Sequence, residues 1–312
     1  MSNILIIKHG SLGDLIQANG AMKDIKESFP DDTVLLLTTP PYVNFMSNCP
    51  YLNGVLIDKR LPRWNIFYLF KLRKMLLRFS FKKVFDLQNS SRTNFYRNFF
   101  LKGVEWSSTE TSLEQGQKKL DFDKEPVLKR MKIQLQKSNV KINYTENLDL
   151  SWALKNIKAL INQHIDKNYI VLFPFSSQKH INKVWPYFYE LIQEMKTIFG
   201  QRYNIVLAPG PNEIEKAKKL NTDIILNNGK ALNLIELISF INEASYVISN
   251  DTGPAHISSH LNKKGLALFG GHTSSKKVSI GENNMQVLEV NNLKDLKVRM
   301  VIDKIKSDLN QI

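Results

Sequence analysis

Short apolar runs of strand length alternate along the chain with longer stretches in which apolar positions recur at helical spacing. Runs of the first kind, rich in Ile, Val and Leu and bounded by turn residues, predict strands covered on both faces; the longer stretches predict helices. In the first half the runs fall at 4–7, 34–37, 55–58 and 84–87, with a helix from 14 to about 28 that ends at Pro30, Asp31 and Asp32. In the second half they fall at 169–173, 204–207, 223–226, 246–249 and 266–269, followed by a last helix over 293–309. This alternation predicts an α/β fold with parallel sheets and helices on both faces. The stretch 121–164 is richer in charge and Asn and carries weak strand signals. A boundary is therefore expected near residue 160, giving domains 1–160 and 161–312, with the last helix expected to pack back on the first domain.

Chemistry gathers where the predicted strands end. The first run leads into Lys8-His9-Gly10-Ser11-Leu12-Gly13-Asp14, two glycines carrying the chain from strand to helix. The third glycine of the dinucleotide fingerprint is missing, and Thr38 and Thr39 stand where an acidic ribose ligand would follow the second strand, which disfavours NAD. Asp14 lies where open parallel sheets place their ligands, and equally where an aspartate caps a helix. Ser249-Asn250-Asp251-Thr252-Gly253-Pro254-Ala255-His256 follows another strand, and Pro254 can open the next helix. Free amides of a first helical turn, the Thr252 hydroxyl and close approach at Gly253 suit a diphosphate; the alternative is a capped helix with a buried histidine. Upstream, the exit Phe173-Pro174-Phe175-Ser176-Ser177 is followed by Lys183, which can neutralise a leaving phosphate or remain a solvated lysine. Glu213, after Pro209-Gly210-Pro211-Asn212, can accept bonds from a ribose or supply helix-start charge.

Composition narrows the picture. With 312 residues, 43% hydrophobic and 23% charged, the chain can bury a core, and disorder is excluded. No apolar run approaches the ~20 residues of a membrane span, and no signal peptide precedes the first strand, so a cytoplasmic protein is expected. The single cysteine, Cys49, leaves neither a disulfide nor a cysteine-based zinc cluster to propose. Against 29 acidic residues stand 43 basic ones, a net charge of +14 that draws the protein toward polyanions. From 59 to 83 there are nine basic and no acidic residues, interleaved with Trp64, Phe67, Tyr68, Phe70, Phe79 and Phe81. A helix over 66–79 can lay aromatic residues on an anionic bilayer or pack on the sheet with a solvated basic face. Arg60 and Arg63, just after the third strand, and Arg92 and Arg97 beyond it, suit phosphate or carboxylate groups of an acceptor. Asp121 and Asp123, the only Asp-x-Asp triplet, follow Lys118 and Lys119 and are expected to be surface charge.

Taken in order, Gly10-Ser11-Leu12-Gly13-Asp14, Asp86-Leu87-Gln88 with Arg92, Lys183-Val184-Trp185-Pro186, the segment from Asn250 to His256, and Leu268-Phe269-Gly270 resemble glycosyltransferase family 9, the lipopolysaccharide heptosyltransferases. The resemblance spans nearly the whole chain, and the segment ending at His256 is its most specific part. It implies a GT-B fold, two Rossmann-like domains with parallel sheets facing a central cleft, the first taking the acceptor and the second the nucleotide-sugar. It further implies inverting, metal-independent transfer without a cofactor, with Asp14 as general base and Lys183 acting on the leaving group. The donor, expected to be ADP-heptose, would be held by Ser176, Ser177, Lys183, Glu213, Asp251, Thr252, Gly253 and His256, with 229–232 flanking the base. An anionic glycolipid acceptor would meet Gly13, Arg60, Arg63 and Arg92. The expected protein is a monomer, peripheral to the cytoplasmic face of the inner membrane, with no nucleic-acid partner. Two departures stand out: five residues, 178–182, separate Ser177 from Lys183, and the loop after Phe269 reads Gly270-Gly271-His272-Thr273. A nucleotide-sugar epimerase of the same fold and a non-catalytic basic membrane- or polyanion-binding protein are the rival readings.

Overall fold

A computed structural model describes residues 2–309 apart from Leu148, Glu282 and the side chain of Gln178. Its named strands pair only in parallel, in two sheets. The first sheet contains β1 (Asn3–Ile7), β2 (Thr33–Thr38), β3 (Gly54–Ile57), β4 (Phe81–Asp86) and β5 (Glu105–Ser107) in the order β3-β2-β1-β4-β5. The second contains β6 (Asn168–Phe173), β7 (Tyr203–Leu207), β8 (Asp223–Ile224), β9 (Tyr246–Asn250), β10 (Gly265–Phe269) and β11 (Met285–Glu289) in the order β11-β10-β9-β6-β7-β8. Each order reverses direction once, between β1 and β4 and between β6 and β9. Loops leaving the carboxyl ends of strands on either side of such a reversal turn to opposite faces and open a crevice.

The chain divides into two units, Met1–Trp152 and Ala153–Ile312, each with one sheet. The polar stretch ahead of residue 152 is bound into the first unit: the buried Asp24 carboxylate accepts the backbone N–H groups of Asn143, Tyr144 and Thr145. There Asn19 donates to the Asp149 carbonyl at 2.5 Å, and the Trp152 indole donates to Asn19 at 2.9 Å. The first predicted helix is two, Leu12–Gln17 and Asn19–Ser28, and these contacts hold the start of the second. At Gly20 a Cβ would lie 2.0 Å from the Tyr144 carbonyl oxygen, so only glycine admits the turn around Tyr144 against this helix.

In the first unit Leu5, Ile7, Leu35 and Leu37 meet Leu69, Leu72 and Leu76 of the helix Ile66–Leu76. In the second, Ile170, Leu172 and Ile248 meet Leu191 and Met195 of the helix Phe188–Phe199 and Ile302 and Ile305 of the helix Val298–Leu309. Each fully buried Leu or Ile contributes roughly 1.5–3 kcal/mol, so the last helix is an integral part of the second unit's core. Nine strands lie where apolar runs predict them. The other two, β5 (Glu-Trp-Ser) and β11 (Met-Gln-Val-Leu-Glu), are edge strands with too little apolar continuity to stand out. No helix among the described residues is long and apolar enough to cross a membrane. Asp121 and Asp123 pair with Lys124 at 2.8 Å and Arg130 at 3.1 Å, as surface charge does.

Candidate active site

In the second unit the β6/β9 reversal is built around Asp251. The N–H of Trp185 donates to the Asn250 side chain at 3.0 Å, anchoring the segment after Lys183 to the end of β9. The five residues between Ser177 and Lys183 are wound into a tight turn, Gln178–Lys183, closed by Ser176 Oγ donating to the His180 carbonyl at 2.7 Å. That turn delivers Lys183 Nζ to within 2.6 Å of Asp251 Oδ2. His272 Nε2 lies 2.9 Å from the same oxygen, and His256 Nε2 lies 3.9 Å from Oδ1. Burial pushes the Asp251 carboxyl pKa up, but the Lys183 ammonium, with His256 and His272, outweighs it and holds the group below its ordinary value. The buried carboxylate thus keeps an ammonium in place at the start of the helix Gly253–His260, which Pro254 opens and Thr252 precedes. Thr252 Oγ1 lies 3.3 Å from Ser249 Oγ.

The remaining predicted donor residues lie around this core. Ser177 is exposed and precedes the tight turn. Glu213, beyond β7, accepts the Gly210 N–H at 2.8 Å; burial raises its pKa, opposed by that bond and by Lys216. It stands at the start of the helix Ile214–Ala217, and its carboxylate closes the loop back to Gly210. The turn containing Gly229 (φ +74°) shares a groove with Asn212, Glu215 and Leu226. His272 is the residue that motif reasoning missed. Its signal was the departure at Gly270-Gly271, where Gly271 admits the Asn291 carbonyl at 2.7 Å from a would-be Cβ.

One turn beyond the cluster, His260 ends the helix fully enclosed, and burial, reinforced by the nearby His256, lowers its pKa from 6.5 to about 3. As pH falls, the unfolded chain takes up this proton near 6.5 while the folded chain stays neutral until about 3, so stability is present above 6.5 and lost on acidification. The expected loss is about 1 kcal/mol per pH unit between pH 6 and pH 4. Denaturant titrations at several pH values check it: His260→Gln should flatten the slope, and equal slopes would contradict the assignment.

In the first unit the β1/β4 reversal carries Asp14. The chain leaves β1 through Gly10, at φ +101°, where a Cβ would meet the Tyr42 ring at 2.3 Å; glycine alone fits. Ser11 caps the helix Leu12–Gln17, and Asp14 Oδ2 accepts the Ser11 N–H at 2.8 Å and its hydroxyl at 3.0 Å. Asp14 is therefore both helix cap and carboxylate at the sheet's reversal. Gly13 is buried within this helix. Across the reversal, Gln88 accepts the His9 N–H at 2.8 Å, and Lys8 Nζ donates to the Leu87 carbonyl at 2.9 Å. Burial lowers the Lys8 pKa, opposed by the charges of Asp14 and Asp86.

Beside this loop stands the buried carboxylate of Asp58, which the apolar run 55–58 marks only as the end of a strand. Tyr68 and Tyr96 hydroxyls donate to it at 2.5 Å each, and the Arg60 N–H donates at 2.7 Å. His9 Nε2 lies 3.0 Å and Arg92 Nε 3.4 Å from it. Burial raises the Asp58 pKa, but the bonds from His9, Tyr68 and Tyr96 prevail and hold it well below the carboxylate range. Arg92 turns inward, donating to the Tyr96 hydroxyl and to the Leu61 carbonyl. Arg60 adopts a left-handed backbone, φ +53°, with its side chain exposed, and the Arg63 guanidinium lies 6.0 Å from the centre of the Phe95 ring. Arg60 and Arg63 are thus presented on a loop whose base Asp58 and Arg92 fasten.

The family model described as Glycosyltransferase family 9 (heptosyltransferase) matches residues 69–306. Among solved structures, E. coli heptosyltransferase WaaC with ADP is 17% identical with a TM-score of 0.71, over 98% of this chain and 99% of that one. E. coli ADP-heptose lps heptosyltransferase II is 16% identical with a TM-score of 0.75, over 100% and 99%. A glycosyl transferase family 9 structure from Veillonella parvula DSM 2008 is 15% identical with a TM-score of 0.77, over 100% and 98%. No curated protein matches the sequence. At these identities the likeness establishes the fold, GT-B with two Rossmann-like domains.

Proposed function

Because the chain belongs to glycosyltransferase family 9, we propose that this glycosyltransferase moves heptose from ADP-heptose to an anionic lipopolysaccharide-core glycolipid, with inversion and without metal or cofactor. The observation that carries the reading is the ammonium of Lys183 held by buried Asp251 at the amino end of the helix Gly253–His260. Such a preset positive site suits a nucleoside diphosphate and becomes more favourable as charge grows on the departing phosphate. A solved relative described with ADP-2-deoxy-2-fluoro heptose supports the donor assignment.

In the reaction, Asp14 takes the proton of the acceptor hydroxyl as that oxygen bonds to the anomeric carbon. The bond from that carbon to the diphosphate breaks on the opposite side, and ADP leaves with the electron pair. One carboxylate is sufficient as base. Thr252 and the first N–H groups of its helix, with Lys183, meet the diphosphate, Ser176 and Ser177 border it, and Glu213 faces the ribose. Asp251 holds Lys183, and its own charge is offset by that ammonium, with His272 on the same oxygen. Gly13 lets the acceptor approach Asp14; Arg60 and Arg63 meet its anionic groups, and Arg92 supports their loop.

Thermal shifts with ADP, GDP, UDP, CMP and NAD in EDTA test the donor, since a ligand of the folded state raises the melting temperature. Selective stabilisation by ADP is expected; preference for another nucleotide would replace the donor. Losing a charge-assisted bond costs about 1.5–3 kcal/mol, so Lys183→Gln should weaken ADP binding roughly 10- to 100-fold by calorimetric titration. Unchanged affinity would remove Lys183 from the site.

A further inference from the structure

Thirteen large apolar side chains among the described residues are exposed, and seven of them fall between 57 and 77: Ile57, Leu61, Trp64, Ile66, Phe67, Phe70 and Leu77. The helix Ile66–Leu76 spends Leu69, Leu72 and Leu76 in the first unit's core. Its opposite face, where solvent would ordinarily favour charge, presents Phe67 (86% exposed) and Phe70 (63%), with Ile66 (74%) and Trp64 (79%) at its start. Lys71 and Lys74 lie alongside on the helix, Arg78 just beyond it and Arg60 and Arg63 on the preceding loop, all exposed. The one acidic residue in this segment, Asp58, is buried and fully engaged. Phe99, also exposed, extends the patch, since its carbonyl accepts from Arg73 Nε at 3.4 Å.

Clustered aromatic side chains on water-facing helix positions mark an interaction surface. Its chemistry identifies the partner. A second copy of the same patch would bring cation against cation, because a two-fold contact pairs a surface with itself. Trp and Phe that enter the acyl boundary, flanked by Lys and Arg at head-group level, are instead the two halves of an interfacial membrane anchor.

We infer that the Trp64–Phe67–Phe70 ridge and its flanking Arg60, Arg63, Lys71, Lys74 and Arg78 form a docking surface for an anionic lipid bilayer. The aromatic ridge supplies insertion and the cations supply lipid selectivity. Neither aromatic nor lysine side chains of the helix belong to the proposed catalytic machinery. Arg60 and Arg63 are shared with the acceptor reading, so the anchor is tested through the aromatic ridge and Lys71, Lys74 and Arg78, which that reading does not use.

The test is co-flotation of the full chain with vesicles of equal parts phosphatidylcholine and phosphatidylglycerol, against phosphatidylcholine alone. Binding to the mixed vesicles, weakened by salt, is expected. Each cation near an anionic surface is worth about fivefold, so Lys71→Gln, Lys74→Gln and Arg78→Gln together should weaken binding roughly a hundredfold. Trp64→Ser, Phe67→Ser and Phe70→Ser together should abolish insertion while leaving turnover of a detergent-dispersed acceptor intact, which separates this inference from the catalytic reading. Trp64 fluorescence should shift to the blue on vesicle binding, and Trp64→Phe should remove the shift. Absence of binding at low salt, binding indifferent to the aromatic triple substitution, or a dimer that this substitution dissociates would overturn the proposal.

Discussion

Asp14→Asn is expected to lower kcat between about a hundredfold and ten-thousandfold, the range supplied by a positioned general base, while leaving ADP affinity unchanged. The substitution is informative because Asp14 already has a structural task, accepting the Ser11 N–H and hydroxyl. An Asn side-chain oxygen can accept those same bonds, so the helix start is preserved, and loss of a cap is in any case worth only about 1 kcal/mol. The amide cannot take the acceptor's proton at neutral pH. Single-turnover rates and nucleotide titration on the same preparation separate the two roles. Near-normal turnover would return Asp14 to capping alone.

The second large effect concerns stability. Asp58→Asn should destabilise the first unit by about 3–5 kcal/mol, the usual consequence of removing one partner from a buried charge cluster. The carboxylate accepts from Tyr68, Tyr96 and the Arg60 backbone and lies against His9 and Arg92. An amide cannot balance the guanidinium, and its N–H₂ presents a donor to other donors. Because the folded pKa is depressed, the ion's contribution is fully present above the ordinary carboxylate value near 4 and is lost as pH falls below it. Denaturant unfolding should show the wild type and Asp58→Asn converging only in strong acid. A difference below about 1 kcal/mol at neutral pH would show that the cluster does not hold the Lys59–Arg63 loop.

How much of this was legible in sequence depended on distance along the chain. Uninterrupted runs such as Ile4-Leu5-Ile6-Ile7 announce a strand because parallel sheets bury both faces, whereas Glu105-Trp106-Ser107 pairs on one side only and announces nothing. Asp14, Lys183 and Asp251 were visible because each follows a strand end at a recognisable turn. The contact joining Lys183 to Asp251 was not, since 68 residues separate them. His272 was hidden for the same reason: a tertiary approach across β9 and β10 leaves no local period. The Asp58 cluster draws on residues 9, 58, 68, 92 and 96 from four chain segments, and only the fold brings them together.

The most direct test of the proposed activity is ADP release from ADP-heptose in EDTA, measured with and without an anionic lipopolysaccharide-core glycolipid. The account predicts ADP release that depends on the glycolipid, with heptose recovered on the lipid in inverted anomeric configuration. Donor conversion of the same extent without acceptor, or no release from the folded wild type in its presence, would contradict it.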